Sequence, residues 1–484
     1  MSTPEGIAAR PAPPARKPRR GDVVLVRVDG FDARGAATGT STDYHVRLRR
    51  GLPGELVRAR VIRRRRSRID AVTLERLEES PRRVPARCAH FGSCGGCALQ
   101  DLDYAAQLEG KQRLVESALA SRPALAGIAV EPVLPAPDPF GYRNKMEFSF
   151  GAQRWIESRE PEGALTGPAL GLHARTVYSK VVDVASCAIQ SPAADAVLAA
   201  TREIAIAGGL SFWNAHEHRG LLRHLVLRVA RGTGEILVGI VTSEDAREAV
   251  DLLARALVAR DLGVTTIVHG VNARPADTAA VDEARIVFGS GRIRERLLDL
   301  VFSLSLASFF QTNSRGAERL VELVREEAAL EGSETVFDLY CGTGALGLSL
   351  ARSAREVVGF EITRAAVLDA RENAAANGIA NARFVEGDVL ARLAEIGNLA
   401  GVPERPDLVL LDPPRPGLHP RVIPVLLGLA PPRIVLVSCN PAALARDLEA
   451  LVLGGYRPGA VRPIDLFPHT PHVECVVRLE QDGR

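Results

Sequence analysis

The sequence predicts an α/β protein in three parts: a small β-barrel, a central α/β domain, and a carboxyl-terminal parallel sheet with helices on both faces. Three observations carry that expectation. At 484 residues the chain exceeds one ordinary core, and about 150 residues per domain suggests roughly three. Beyond about residue 300, apolar runs at 335–339, 357–360, 408–411 and 434–437 alternate with helical segments, as in a parallel sheet buried on both faces. Charge is also unevenly placed. Residues 1–87 hold 21 Lys or Arg against 10 Asp or Glu and the remainder 40 against 48, within an overall net charge of +3.

Taken in order, residues 1–20 interleave Pro with Arg and Lys and are expected to form a disordered basic arm. Residues 21–78 read as the barrel, with strands at 23–28, 44–48, 56–62 and 69–74 broken by Asp29-Gly30, Gly39 and Leu52-Pro53-Gly54-Glu55. The arginines at 63–66 and Arg68 lie beside those strands, where a barrel can track a phosphate backbone. Clustered basic charge makes nucleic acid the first partner to consider, against the plainer reading of a solvated basic tail. The central domain spans 79–295, with a helix near 104–120 and strands at 145–150, 222–229 and 236–241; the last domain spans 296–484. No apolar run of 18 residues is free of Pro or charge, and residues 1–20 lack a signal-peptide core, so the expectation is cytoplasmic, without membrane. No obligate protein partner is evident. Seven cysteines in a long chain fit a reducing compartment, where thiols serve metals or catalysis.

Cys88, Cys94 and Cys97 form C-x5-C-x2-C in a loop made pliable by Gly92, Gly95 and Gly96. Cys187 is the one other cysteine ahead of the parallel-sheet domain. Four thiolates suit a cubane iron-sulfur cluster or a tetrahedral zinc, and the absence of a repeated C-x2-C pair weighs against a zinc ribbon. The five-residue first gap and the available fourth cysteine differ from the C-x3-C-x2-C of radical enzymes, so a closed, structural cluster is expected.

In VFDLYCGTGALGLSLA, residues 336–351, a strand runs into a glycine turn and a helix. Gly342, Gly344 and Gly347 match G-x-G-x-x-G, and Glu361 ends the next strand where a ribose-binding acid belongs. That much fits a dehydrogenase or a methyltransferase equally. Asp338 ahead of the glycines, and the chemistry on the later strand ends, favour the second. Asp388 in VEGD can accept an adenine amino proton or cap a helix. LVLLDPPRPG places Asp412 at a strand end, and Arg415 stands where an aromatic residue would serve methylation of an exocyclic amine. IVLVSCNP brings Cys439 to the same edge. A thiolate that adds to C6 of uracil turns C5 into a nucleophile able to attack a methyl sulfonium, and a base must then remove the C5 proton. Glu474 in PHVECVV suits that role. His469 and His472 are expected as turn or packing residues, and Cys341 and Cys475 as core thiols.

FFQTN, DLYCGTG, DPPRPG, SCNP and PHVE in this order resemble the RNA 5-methyluridine methyltransferase family over about residues 20–484. The resemblance implies a Rossmann-like class I methyltransferase domain preceded by a TRAM RNA-binding barrel. It implies a 4Fe-4S cluster on Cys88, Cys94, Cys97 and Cys187, settling iron-sulfur over zinc. Cys439 would be the nucleophile and Glu474 the base. Gln311, Tyr340, Glu361, Asp388 and Asp412 would contact S-adenosylmethionine, although the family often has Asn where Asp388 stands. The helix at 104–120 would pack on the catalytic domain, making the middle boundary discontinuous. RNA is the implied partner, ribosomal RNA ahead of transfer RNA. Two rival readings remain: a nicotinamide oxidoreductase with an electron-transfer cluster, and a noncatalytic RNA-binding scaffold.

Overall fold

Alternating apolar and charged residues give the first strands one face to bury, and closing the sheet on itself buries it. The computed structural model describes residues 17–42, 44–157, 162–175, 177–276 and 278–482, so the expected arm at 1–20 lies, up to residue 16, outside the described residues. Strands β1 (Val23–Phe31), β2 (Ala37–Ser41), β3 (Tyr44–Leu48), β4 (Leu56–Arg65) and β5 (Arg68–Glu78) form a closed barrel in the order β1-β2-β3-β5-β4. Val26, Val46, Leu48, Val57 and Ile69 fill it.

Gly39, expected to break a strand, sits inside β2. A Cβ there would stand 2.3 Å from the Arg27 carbonyl oxygen, so the residue is glycine because two backbones meet closely. Gly30 marks a register shift in β1 rather than its end. The arginines at 63–65 run along exposed β4, with Arg66 and Arg68 at the exposed hairpin that follows. This unit extends to Arg83. Arg83 pairs with the buried carboxylate of Glu55 at 2.6 Å, and the Ser80 hydroxyl donates to the Pro53 carbonyl at 2.6 Å. Those bonds tie residues 80 and 83 to the barrel, where the sequence reading began the next domain at 79.

The second unit, Val84–Arg484, holds the central and carboxyl-terminal segments together. Helix α1 (Tyr104–Ala120) precedes β6 (Lys145–Gly151), β7 (Ala169–His173), β8 (Val181–Asp183), α2 (Pro192–Ala207), β9 (Leu222–Val229), β10 (Ile236–Thr242), α3 (Arg247–Val258), β11 (Val264–Val271) and β12 (Glu283–Phe288). These strands form one sheet in the order β12-β11-β10-β9-β6-β7-β8, followed by a hairpin of β13 (Ile293–Leu297) and β14 (Leu300–Leu304). Then come α4 (Ser314–Ala328), β15 (Thr335–Leu339), α5 (Ala345–Ala351), β16 (Glu356–Glu361), α6 (Arg364–Ala376), β17 (Ala382–Glu386) and α7 (Val389–Ala394). The chain ends with β18 (Leu408–Leu411), α8 (Val422–Leu429), β19 (Arg433–Ser438), α9 (Pro441–Leu453), β20 (Tyr456–Pro458), β21 (Arg462–Ile464) and β22 (Glu474–Gln481).

The second sheet runs β17-β16-β15-β18-β19-β22-β20, with β21 also paired to β22. Strands β15 to β19 are parallel and β22 is antiparallel to β19. Chain order reverses between β15 and β18, which opens a crevice at their carboxyl ends.

One core cluster joins Val226, Leu237 and Val268 of the central sheet to Leu320, Val324 and Val336, and this shared core is why 295/296 is no break in packing. On the opposite face of the second sheet, Val115 and Leu119 of α1 pack with Leu444 and Leu448 of α9. A helix placed before the central sheet in sequence thus covers the last domain. Its Lys111 reaches Asp465 at 2.5 Å, both side chains fully buried.

Candidate active site

Four strand ends deliver acids or a thiol to the crevice. β15 carries Asp338, one residue before its end, and Oδ2 accepts a hydrogen bond from Gly347 N at 2.9 Å. A Cβ on Gly347 would lie 2.4 Å from that oxygen, so the third glycine of the turn is fixed by the carboxyl it covers. Oδ1 of Asp338 is buried with no hydrogen-bond partner among the described residues. Tyr340 follows with φ +67°, and Gly342 and Gly344 with φ +53° and +83° form the turn into α5. At the end of β16, Glu361 accepts from Gly342 N at 3.1 Å and Thr363 N at 2.8 Å, holding the turn from below. Gln311, Asp338, Tyr340, Gly342, Thr343 and Asp412 line one cavity in the crevice.

Asp388 lies apart from that lining. It is exposed and caps α7, its Oδ1 accepting from Ala391 N at 3.1 Å. Of the two uses open to it in the sequence, the helix cap is the one this structure makes.

Cys439 follows β19, and Asn440 caps α9 by accepting from Ala442 N at 3.1 Å, with Pro441 in the first turn. The thiol therefore stands just before a helix amino terminus, whose partial positive charge favours a thiolate. The register of β19 with β22 ends at Ser438 opposite Cys475, the residues next to Cys439 and Glu474, and the Glu474 carboxyl is near enough to act on the Cys439 thiol. Glu474 is 3% exposed, while Cys439 and Asp412 are partly open.

Burial and mutual repulsion govern the charges here. Burial first, then the neighbouring Asp412 and Glu361, push Asp338 up to about 8. Asp412 is raised to about 6 by burial, and Glu474 is held well above the usual carboxyl range by burial and Asp412. Cys439 is pushed up to about 11 by burial, Glu474 and Asp412, with Arg415 opposing. Among the described residues, no Lys or Arg is among the groups that shift these three carboxyls. Arg415 is exposed, and its guanidinium meets His472 Nδ1 at 3.2 Å. Phe309, which the sequence reading passed over within FFQTN, is 67% exposed and borders this cavity. An apolar ring left in solvent beside a crevice was its signal, and only the structure supplies that exposure.

Phe309 also borders a second cavity of about 380 Å³, lined by Cys88, Cys94, Cys97 and Cys187 together with Arg143 and Arg228. The structure thus brings the four expected thiols to one space. Gly96 N donates to Cys94 Sγ at 3.4 Å and Gln100 Nε2 to Cys97 Sγ at 3.2 Å, and the Ile189 amide bonds Cys187. Sulfurs that accept N–H bonds suit thiolate ligands. No group of three or more His, Cys, Asp or Glu side chains is gathered closely enough for a single metal ion among the described residues.

Residues 242–482 match the family described as tRNA (uracil-5-)-methyltransferase. An uncharacterized RNA methyltransferase of Caldanaerobacter subterraneus subsp. tengcongensis is 38% identical over 464 residues, 96% of this chain and 99% of the relative. Another from Gloeobacter violaceus is 38% identical over 463 residues, covering 96% and 97%. Among solved structures, the tRNA (uracil-54, C5)-methyltransferase of Pyrococcus abyssi in complex with S-adenosyl-L-homocysteine superposes with a TM-score of 0.72 at 29% identity. That match covers 94% of this chain and all of the other.

The raised Asp338 gives a pH test. The folded protein keeps a proton on this carboxyl up to about 8, whereas the open chain releases it near 3.8. The contribution to stability is therefore complete below the open-chain value and is lost as pH rises through the folded one. Urea unfolding of the protein and of Asp338→Asn at intervals from about pH 5 to about 7.5 should diverge, the unsubstituted chain losing up to about 1.4 kcal/mol per pH unit relative to the variant. Parallel curves would mean that Asp338 is ionised in the fold.

Proposed function

This chain belongs to the tRNA (uracil-5-)-methyltransferase family of RNA methyltransferases, and from that membership we propose that it transfers a methyl group from S-adenosylmethionine to C5 of a uridine in RNA. The observation that carries the reading is the nearness of Cys439 and Glu474 just past the end of the β19–β22 register, with Asp412, which lines the cavity of the glycine turn, acting on both.

The charge of the site supports this cofactor. Buried carboxyls, two of them raised further by Asp412, favour a cationic ligand, and a sulfonium is one. A dinucleotide pyrophosphate would add negative charge to the same space, which counts against the nicotinamide reading. We assign Gln311, Tyr340, Glu361, Asp388 and Asp412 to the cofactor, with Asp412 also near the uracil; Asp388 would use the oxygen that its helix cap leaves free. The pyrophosphate argument does not touch the scaffold reading, which the pairing of a thiol with a buried acid disfavours.

When bound, S-adenosylmethionine supplies an electrophilic methyl carbon. Cys439, as thiolate, forms a bond from Sγ to C6 of the uracil, and the C5–C6 π electrons move to C5 and the O4 carbonyl. Arg415 and the α9 amino terminus favour the thiolate against the burial that opposes it. C5 bonds to the methyl carbon as the carbon–sulfur bond of the sulfonium breaks. Glu474, as carboxylate, then takes the C5 proton, the double bond re-forms and Cys439 departs as thiolate. The uracil must leave its stack to reach Cys439, and the exposed Phe309 ring offers an apolar face on which a base can rest.

Cys88, Cys94, Cys97 and Cys187 would hold a 4Fe-4S cluster, which the shared cavity and the N–H donors to sulfur support. With four protein thiolates it would supply a rigid tie between the 88–97 loop and Cys187, leaving no iron open. The barrel reads as a TRAM domain whose exposed arginines at 63–66 and Arg68 grip RNA backbone. The target we favour is ribosomal RNA, on the resemblance to relatives with both barrel and cysteines. Transfer RNA is the second reading, favoured by the named activity of the Pyrococcus abyssi neighbour.

Incubated with S-adenosylmethionine and unmodified ribosomal or transfer RNA, the protein should produce 5-methyluridine in nucleoside digests of one of them. Cys439→Ala should bind both substrates and yield none, a loss of at least about 10⁴-fold. Methylated uridine from Cys439→Ala, or methyl on another base, would refute the reading. Protein purified without oxygen should contain about four irons per chain and lose them in Cys187→Ala. Stoichiometric zinc in place of iron would contradict the cluster.

A further inference from the structure

Glu474 opens β22, and nine residues, 465–473, separate it from β21. Four successive carbonyls of that connection are each held by a group from elsewhere in the chain. Leu466 O accepts from Asn313 Nδ2 at 3.0 Å, Phe467 O from Lys111 Nζ at 3.0 Å, and Pro468 O from the Tyr142 hydroxyl at 3.1 Å. His469 O accepts from Ala98 N at 2.8 Å and Leu99 N at 3.0 Å, the two residues directly after Cys97.

Gln107 joins these attachments. Its Oε1 accepts from His469 N at 2.8 Å, and its Nε2 lies 3.2 Å from His469 Nδ1 while donating to Leu99 O at 3.0 Å and Leu102 O at 2.8 Å. The side chain is fully buried, and His469 is fixed at φ +65°, a left-handed turn that a non-glycine residue adopts only when its surroundings impose it. The bonds to Gln107 and to the Ala98 and Leu99 amides are those surroundings.

We propose that Gln107, acting with the backbone of the cysteine loop at Ala98 and Leu99, is a positioning residue that sets where the Glu474 carboxyl stands over the reacting uracil. The proposal rests on the reading of Glu474 as the base. Cys439 lies between β19 and Asn440, the cap of α9, and is not held by these bonds. Loosening the 465–473 connection therefore affects proton removal after methyl transfer and leaves the steps that precede it in place. The cysteine site gains a role by the same route: it holds the loop whose amides fix His469.

The test separates the two halves of the reaction in the full-length protein. Gln107→Leu keeps volume and removes the hydrogen bonds, and Tyr142→Phe removes the hydroxyl held by Pro468 with little risk to folding. With methyl-labelled S-adenosylmethionine, first-turnover methyl transfer should stay within about twofold of the unsubstituted protein. Steady-state kcat should fall about tenfold for Gln107→Leu and about threefold for Tyr142→Phe, with KM for RNA unchanged. Labelled protein–RNA adduct that survives denaturation should accumulate in both. Equal loss of first-turnover and steady-state rates without adduct, or unchanged turnover in both variants, would overturn the proposal; should Gln107→Leu not fold, Tyr142→Phe decides alone. Glu474→Gln run alongside should accumulate the most adduct. If it accumulates none, the assignment of the base fails, and that outcome is distinct from failure of the positioning role.

Discussion

Buried carboxyl groups gathered at the edge of a parallel sheet set the electrostatics of the crevice. Asp338, Asp412 and Glu474 are drawn from β15, the end of β18 and the start of β22; burial raises the proton affinity of all three, and Asp412 raises that of the other two further. A protein interior tolerates this only while the acids stay protonated or a cation arrives. The glycine turn follows from it, because Gly347 must lack a side chain where Asp338 lies against the backbone. On the proposed reading, a sulfonium would supply in this crevice a positive charge that lets the acids ionise. An ionised Glu474 is the form that can accept a proton, so cofactor charge and base strength would be linked through the same electrostatics.

The covalent path proposed for this chain needs a thiol and an acid on one substrate from two sides, and β22, antiparallel to β19, would supply the second side. That arrangement brings a long connection between β21 and β22. Its carbonyls must be satisfied, and the chain uses α1, Tyr142, Asn313 and the residues after Cys97 to do so. The buried Lys111–Asp465 pair has the same setting, since Tyr104, Lys111 and Phe467 N all bond the one carboxylate. Buried ion pairs of this kind contribute specificity of arrangement more readily than net stability. The central segment is therefore bonded directly to the connection that leads into Glu474.

Much of this was legible in the sequence. The runs at 335–339 and 408–411 are the observed strands to the residue, because strands buried on both faces are mostly apolar along their length, Asp338 being the charged exception. Cys439 and Glu474 stood out because a thiol and an acid at the ends of such strands have few uses in packing. Local ambiguity misled at Gly39, which looked like a turn but serves a close backbone approach. Long-range ties were beyond reach. Nothing near Gln107 announces His469, 362 residues away, and Glu55 gives no sign that Arg83 will extend the barrel unit past 78. The exposure of Phe309 is likewise a product of the whole fold.

On the proposed mechanism Cys439 bonds C6 before the methyl arrives, and departure of the thiolate waits on removal of the C5 proton. An RNA carrying 5-fluorouridine in place of the target offers fluorine where that proton would be, and no base can remove it as a cation. After reaction with S-adenosylmethionine, mass spectrometry of digested protein should find one peptide, containing Cys439, bearing the fluorinated nucleotide plus one methyl group. Absence of any adduct while the cofactor is consumed, or attachment at a residue other than Cys439, would contradict the mechanism.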